Sequence, residues 1–194
     1  MKIIMTISLV IVFVLTFIKC GDNKTKAGDE TSMPISSIPD KKMCELFTKE
    51  NMSSITGINF DEVMSTIHQV DKSNGIYVSQ CAYYVGKASL GVLVRIFANS
   101  TFSKTKEGLL GVDYSENPDT DEILQTALKT CKIVTDLGDA AIFCDLGGSN
   151  NLIVVFDDHY QIQISSYGEG FGFDDKTMEI SKKVAEKVIS VFRK

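Results

Sequence analysis

An apolar run at the start of the chain is the feature that most constrains how the rest can fold. One basic residue, Lys2, precedes the run, which continues almost unbroken to Lys19 and Cys20. A short basic head, an apolar stretch and a polar exit are typical of a secretory signal, and a cysteine at its end suggests the residue that bacteria acylate. We therefore expect residues 1–19 to be a signal peptide and the following domain to fold outside the cytoplasm, where disulfides form.

Three interpretations of this segment remain open. Acylation at Cys20 would make the protein a lipoprotein, although Phe17, Ile18 and Lys19 stand where small residues usually precede the cysteine. An uncleaved anchor needs about 20 apolar residues, whereas the run over residues 3–18 is only sixteen residues long. Free secretion would need small residues in an A-x-A arrangement, which is not found near position 20. We favour a lipid-anchored protein, and all three interpretations predict a periplasmic or cell-surface location.

Charge narrows the set of partners. Without residues 1–19 the chain has 18 basic and 25 acidic residues, so its formal charge moves from -5 to -7. A protein binds a polyanion through a stripe of basic side chains that displaces the counterions of the polyanion. In this chain the lysines are scattered among acidic residues and form no such stripe. We expect no nucleic-acid partner, and membrane contact only through an N-terminal lipid. Residues 20–39 are mostly small and polar and predict a disordered tether, which leaves 40–194 as a single domain long enough to bury a core.

Apolar periodicity predicts an α+β fold. An antiparallel sheet packed by helices, in the order α-ββ-α-βββ-α, fits the pattern best. Both faces of the strand that contains Arg95 are largely apolar, which predicts a central strand, while Gln161, Gln163 and Ser165 alternate with apolar residues and predict a strand with one face in water. The predicted helices are 41–49, a second helical turn that ends at Thr56-Gly57, 60–70, one after Pro118 and 174–192. The predicted strands are 76–85, 89–98, 140–144, 152–156 and 160–167.

Four cysteines remain in the domain if Cys20 carries a lipid. An even count in an exported domain predicts two disulfides, and four cysteines allow three pairings. We favour Cys44 with Cys81, which would tie the first helix to the first strand, and Cys131 with Cys144. No C-x-x-C pair occurs and both histidines lie far from the cysteines in sequence, so we expect no metal site.

Four short segments resemble a family of bacterial cell-envelope lipoproteins of unknown function. They are Cys44-Glu45-Leu46-Phe47-Thr48, Ile55-Thr56-Gly57, Cys81-Ala82-Tyr83 and Leu137-Gly138-Asp139-Ala140-Ala141. Related lipoproteins have a fold similar to the PsbP type, so the resemblance implies an antiparallel sheet between helices over residues 40–194. It implies no catalytic residues.

No catalytic motif is evident in the sequence. A G-x-S-x-G elbow is missing, and hydrolysis would require His68 or His159 to meet a nucleophile and a carboxylate in a cleft. We therefore expect no enzymatic activity and no cofactor.

Two function classes remain. The favoured one is a membrane-tethered binding or accessory module that contacts another envelope component. The alternative is a carrier or sensor of a small apolar, lipid-like ligand, held in an aromatic pocket near the C-terminal helix. The side chains that would line this pocket are Tyr83, Tyr167, Phe171 and Phe173.

Overall fold

The computed structural model describes residues 33–34, 37–111 and 118–193. The predicted signal segment, Cys20 and most of the predicted tether lie outside these ranges. The helices are α1 (Met43–Leu46), α2 (Lys49–Thr56), α3 (Lys106–Leu110), α4 (Pro118–Thr130) and α5 (Asp175–Phe192). The strands are β1 (Glu62–Asp71), β2 (Ile76–Val85), β3 (Ala88–Phe97), β4 (Lys132–Ile133), β5 (Ala140–Asp145), β6 (Ser149–Phe156) and β7 (Tyr160–Tyr167).

Within the described residues, seven strands form one antiparallel sheet in the order β1-β2-β3-β7-β6-β5-β4. This arrangement confirms the predicted α+β class. The strand β3 is the third of seven, as its apolar character on both faces predicted. A tight turn at Gly86 joins β3 to β2, and the φ of 57° at this residue favours glycine. On its other side β3 pairs with β7, which begins more than sixty residues later in the sequence.

The prediction of a helix at residues 60–70 is wrong. This segment forms the edge strand β1, which pairs with β2 from Glu62 to Asp71 with an irregularity between Ser65 and Ile67. Phe60, Val63 and Ile67 have helical spacing, but the free edge of β2 offers backbone partners that the spacing does not reveal. Non-local pairing therefore overrides the local pattern.

The N-terminal helical region ends at Thr56 with Gly57 as its cap, as predicted, but its first helix ends at Leu46 and not at Lys49. It consists of two short helices, because the chain is extended at Phe47 and Thr48. The Thr48 side chain accepts a hydrogen bond from the backbone N–H of Asn51 at 3.4 Å and caps α2. The structure also contains β1, β4 and α3. The predicted order α-ββ-α-βββ-α is therefore incomplete.

In the part of the chain that the structure describes, two apolar clusters lie on opposite sides of the sheet. The larger one joins α1, α2 and α5 to the inner sides of the strands, and Val184 and Val188 of α5 are fully buried in it. Each such side chain contributes about 1.5–3 kcal/mol relative to leaving it in water. The smaller cluster joins α3 and α4 to β5 and β6. Consecutive residues of β5, Phe143 and Cys144, belong to different clusters, as the alternation of a strand requires.

Both predicted disulfides are present. Cys44–Cys81 ties α1 to β2 across 37 residues of sequence, and Cys131–Cys144 ties the end of α4 to β5 across 13. Disulfides persist in oxidising compartments, so the pair favours a location outside the cytoplasm.

Within the described ranges, no helix combines the length and the apolar character needed to cross a bilayer.

Candidate binding site on the polar face of the sheet

The side of the sheet that faces away from α5 has two different halves. Beneath α3 and α4 it is apolar, and the cluster there takes its sheet residues from β5 and β6 alone. Towards β2, β3 and β7 it becomes polar. We call this half the polar face and define it by the side chains of Gln80, Arg95, Gln161, Gln163 and Ser165.

Strand register brings these side chains to one side. Arg95 of β3 is the direct partner of Gln161 on β7. Leu93 is paired with Gln80 on β2 and with Gln163 on β7, and directly paired residues of antiparallel strands project on the same side of the sheet. The predicted alternation of β7 is confirmed, but Gln161 is only 8% exposed and so lies in a more sheltered place than a water-facing strand suggests.

Arg95 is the central feature of the polar face. Its Nη1 donates a hydrogen bond of 2.7 Å to Oε1 of Gln161. Burial lowers the pKa of Arg95 to about 10, because removal from water penalises the charged form. Among the ion pairs of the described residues, none involves Arg95. In the described part of the chain, the half-buried guanidinium of Arg95 therefore has the neutral amide of Gln161 as its hydrogen-bond partner, and not a carboxylate.

A hydrogen-bond network fixes the neighbouring side chains. Asn151 of β6 accepts hydrogen bonds at Oδ1 from Gln163 Nε2 at 2.9 Å and from Ser165 Oγ at 2.7 Å. Its own Nδ2 donates to the carbonyl of Ser149 at 2.8 Å. Because every amide in this chain of contacts has its orientation set by a partner, Gln163 and Ser165 are ordered before any ligand arrives.

Chemically, the polar face suits recognition of a hydrogen-bond acceptor. A guanidinium carries five N–H donors, and Arg95 uses one donor group on Gln161. Gln161 accepts through Oε1, which leaves its Nε2 group as a further donor beside the cation. One signal for this site is present in the sequence, namely a single charged residue within an otherwise apolar central strand.

The four aromatic residues predicted to line a ligand pocket do not all lie on one side of the sheet: Tyr83, Phe171 and Phe173 belong to or pack against the larger apolar cluster, and Tyr167 lies on the other side. Tyr83 is fully buried among the residues under α1 and α2, where its hydroxyl donates to the carbonyl of Phe47 at 2.5 Å. Phe171 belongs to the same buried cluster, and Phe173 stacks on Phe143 with ring centroids 5.0 Å apart. Tyr167 is 52% exposed at the end of β7, on the side of the polar face.

The two histidines have structural partners. His68 Nδ1 lies 3.3 Å from Ser79 Oγ, but Ser79 is fully buried and accepts a hydrogen bond from the backbone N–H of Met43. His159 Nδ1 lies 3.0 Å from the carbonyl of Phe97 and 2.9 Å from that of Ser100. Neither arrangement places a histidine against an accessible nucleophile among the described residues.

A cavity of about 350 Å³ lies beside the Leu137–Ala141 block, at the edge of the sheet. Two lysines line it, and both are engaged. Lys104 Nζ forms ion pairs with Asp139 at 3.4 Å and with Asp158 at 2.5 Å, and Lys106 Nζ donates to the carbonyl of Leu128. Lys104 is neutralised by two carboxylates and the Lys106 ammonium is held by a backbone carbonyl at the cavity rim, so we place the candidate binding site on the polar face.

Fold and site together define a disulfide-bonded α+β domain with an ordered polar face on its antiparallel sheet. Comparison of the chain with protein-family models, curated proteins and solved structures gave no match. In the described part of the chain, no group of three or more metal-ligating side chains comes together.

Proposed function

We propose that this protein is a membrane-tethered binding or accessory module of the bacterial cell envelope. A lipid on Cys20 would hold it at the membrane, residues 20–39 would act as the tether, and the polar face would contact another envelope component. The observation that carries the proposal is the ordered set of polar side chains around Arg95, which pairs with a neutral partner.

Two further observations support it. The disulfides Cys44–Cys81 and Cys131–Cys144 favour an oxidising compartment, in agreement with a secretory signal. The antiparallel sheet with apolar clusters on both sides is compatible with the PsbP-like lipoproteins that the sequence resembles, and we include this relationship in the proposal.

Site-specific photo-crosslinking tests the contact surface. A benzophenone side chain would replace Gln163 on the polar face or, as the control, Lys187 on the exposed side of α5. In cells that naturally make the protein, we expect a discrete crosslinked species from position 163 and none from position 187. Equal yields at the two positions, or no species at either, would contradict a binding role for the polar face.

The anchor needs a separate test. We expect Cys20→Ala to abolish lipid attachment and to leave a precursor that retains residues 1–19. The measurement is the intact mass of protein extracted from membranes, compared with that of the Cys20→Ser variant and the unmodified chain. An unmodified Cys20 in the mature protein, or a native N-terminus at another residue, would refute the lipoprotein assignment.

A further inference from the structure

The polar face contains a single cationic side chain. In the four strands β1, β2, β3 and β7, Arg95 is the only lysine or arginine. The acidic residues of these strands are Glu62 and Asp71, at the two ends of the edge strand β1. Asp71 is already used in the following turn, where it accepts hydrogen bonds from Ser73 Oγ at 2.6 Å and from Asn74 Nδ2 at 2.7 Å. The guanidinium therefore lacks an acidic partner from its own strands.

The surroundings of Arg95 favour a strong charge-assisted hydrogen bond. Val78 is its direct neighbour on β2, and Leu93, two residues earlier on β3, is only 5% exposed. Apolar neighbours limit access of water, which strengthens an electrostatic contact. The amide of Gln161 is oriented by its bond to Arg95, so the free donors of both side chains lie together.

We propose that Arg95 and Gln161 bind a carboxylate group carried by an acidic side chain of the envelope partner. The inference rests on the proposed function and names the chemistry of the contact. A planar guanidinium matches the two oxygens of a carboxylate, and one positive charge balances one negative charge. A phosphate dianion would require more cations than the polar face offers, in a chain whose formal charge is already -5.

Direct observation of the guanidinium tests this chemistry. The chain has two arginines, Arg95 and Arg193, so the side-chain Nε–H resonances of full-length protein labelled with ¹⁵N would give an internal control. Arg193 already forms a hydrogen-bonded ion pair with Asp157 at 2.9 Å. The protein would be held in a non-ionic detergent and titrated with sodium acetate, sodium phosphate or sodium chloride at constant ionic strength.

We expect acetate to shift the Arg95 resonance in a saturable manner, with little change at Arg193. Arg95→Lys should weaken acetate binding by about tenfold, because an ammonium cannot form the paired contact, and Gln161→Leu should weaken it by less. The matched control Arg193→Lys, which makes the same replacement at the other arginine, should leave the binding constant unchanged. No shift at Arg95, equal shifts at both arginines, or tighter binding of phosphate would overturn the proposal.

Two further measurements separate this inference from the proposed function. The crosslink at position 163 should weaken in the Arg95→Gln background. If that crosslink persists at full yield, the carboxylate site is refuted while the binding module stands. If acetate binds but no crosslink forms in the wild-type background, the module is refuted instead. A native mass spectrum of membrane-purified protein that shows a stoichiometric small acid would overturn a partner protein as the source of the carboxylate.

Discussion

Gly138 and Val155 approach each other so closely that a side chain at position 138 has no room. A Cβ placed on Gly138 would lie 2.5 Å from the carbonyl oxygen of Val155, and the backbone there has a φ of 64°. The next residue, Asp139, donates its backbone N–H to the same carbonyl at 2.7 Å. The Leu137–Ala141 block, which resembles a motif of envelope lipoproteins, thus docks a loop against β6.

We expect Gly138→Ala to lower the free energy of unfolding by about 2–4 kcal/mol, since it combines a positive φ with a backbone clash. The matched control is Gly147→Ala, where φ is similar at 66° but no atom lies within 4 Å of the added Cβ. That change should cost only about 1 kcal/mol. Urea denaturation would measure both, and equal losses would show that strain alone, without the contact to Val155, decides the effect.

The two disulfides should contribute unequally to stability. On the chain-entropy model, the stabilisation grows with the length of the closed loop. The separations of 37 and 13 residues correspond to about 4 and about 3 kcal/mol. We therefore expect the double variant Cys44→Ser/Cys81→Ser to lose more stability than Cys131→Ser/Cys144→Ser in guanidinium denaturation, with the reverse order contradicting the model. Peptide mapping without reduction should recover the same two pairs from the wild-type protein.

One helix buries hydroxyl groups that lack partners. Thr177 Oγ1 and Ser181 Oγ of α5 are buried and have no hydrogen-bond partner among the described residues. An unsatisfied buried hydroxyl costs about 1–3 kcal/mol, so Ser181→Ala should raise the free energy of unfolding by about 1 kcal/mol. The control Ser190→Ala, on the exposed side of the same helix, should change it by less than about 0.5 kcal/mol. A loss of stability in Ser181→Ala would indicate that a bound water satisfies the hydroxyl.

Alkaline pH should destabilise the fold through buried tyrosines. Burial raises the pKa of Tyr77 from its usual 10.0 to about 12, and it also raises the pKa of Tyr83. Because the folded-state pKa lies above the unfolded value, this contribution to stability is complete below about pH 10 and is lost as pH rises towards 12. Both hydroxyls donate to backbone carbonyls, of Lys41 and Phe47, which a phenolate cannot do.

The variant Tyr77→Phe isolates one part of this effect. It should be less stable than wild type at pH 8, where its hydrogen bond is missing, and the difference should shrink between pH 10 and pH 12. Because the pKa of Tyr77 rises from 10.0 to about 12 on folding, the difference in unfolding free energy between the two proteins can change by at most about 2.7 kcal/mol. Denaturation series from pH 8 to pH 11.5 would measure it, and a difference that stays constant with pH would show that Tyr77 titrates normally.

Local patterns in the sequence determined several parts of the structure. The period of two in β7 placed Gln161, Gln163 and Ser165 opposite its apolar residues, since alternation is a property of a single strand. The apolar faces of β3 indicated a central position. The even number of cysteines favoured two disulfides, and the favoured pairs Cys44–Cys81 and Cys131–Cys144, each of which ties a helix to a strand, are the ones present.

Tertiary structure alone decided the rest. Residues 62–71 became a strand because β2 had a free edge, and helical spacing within the segment could not reveal that edge. Arg95 and Gln161 are 66 residues apart in sequence, and only the pairing of β3 with β7 makes them neighbours. The same sheet order separates Tyr83 from Tyr167 onto opposite sides. Strand order and register depend on contacts across the whole chain, so no local pattern could have assembled the polar face or placed Tyr167 on the opposite side of the sheet from Tyr83.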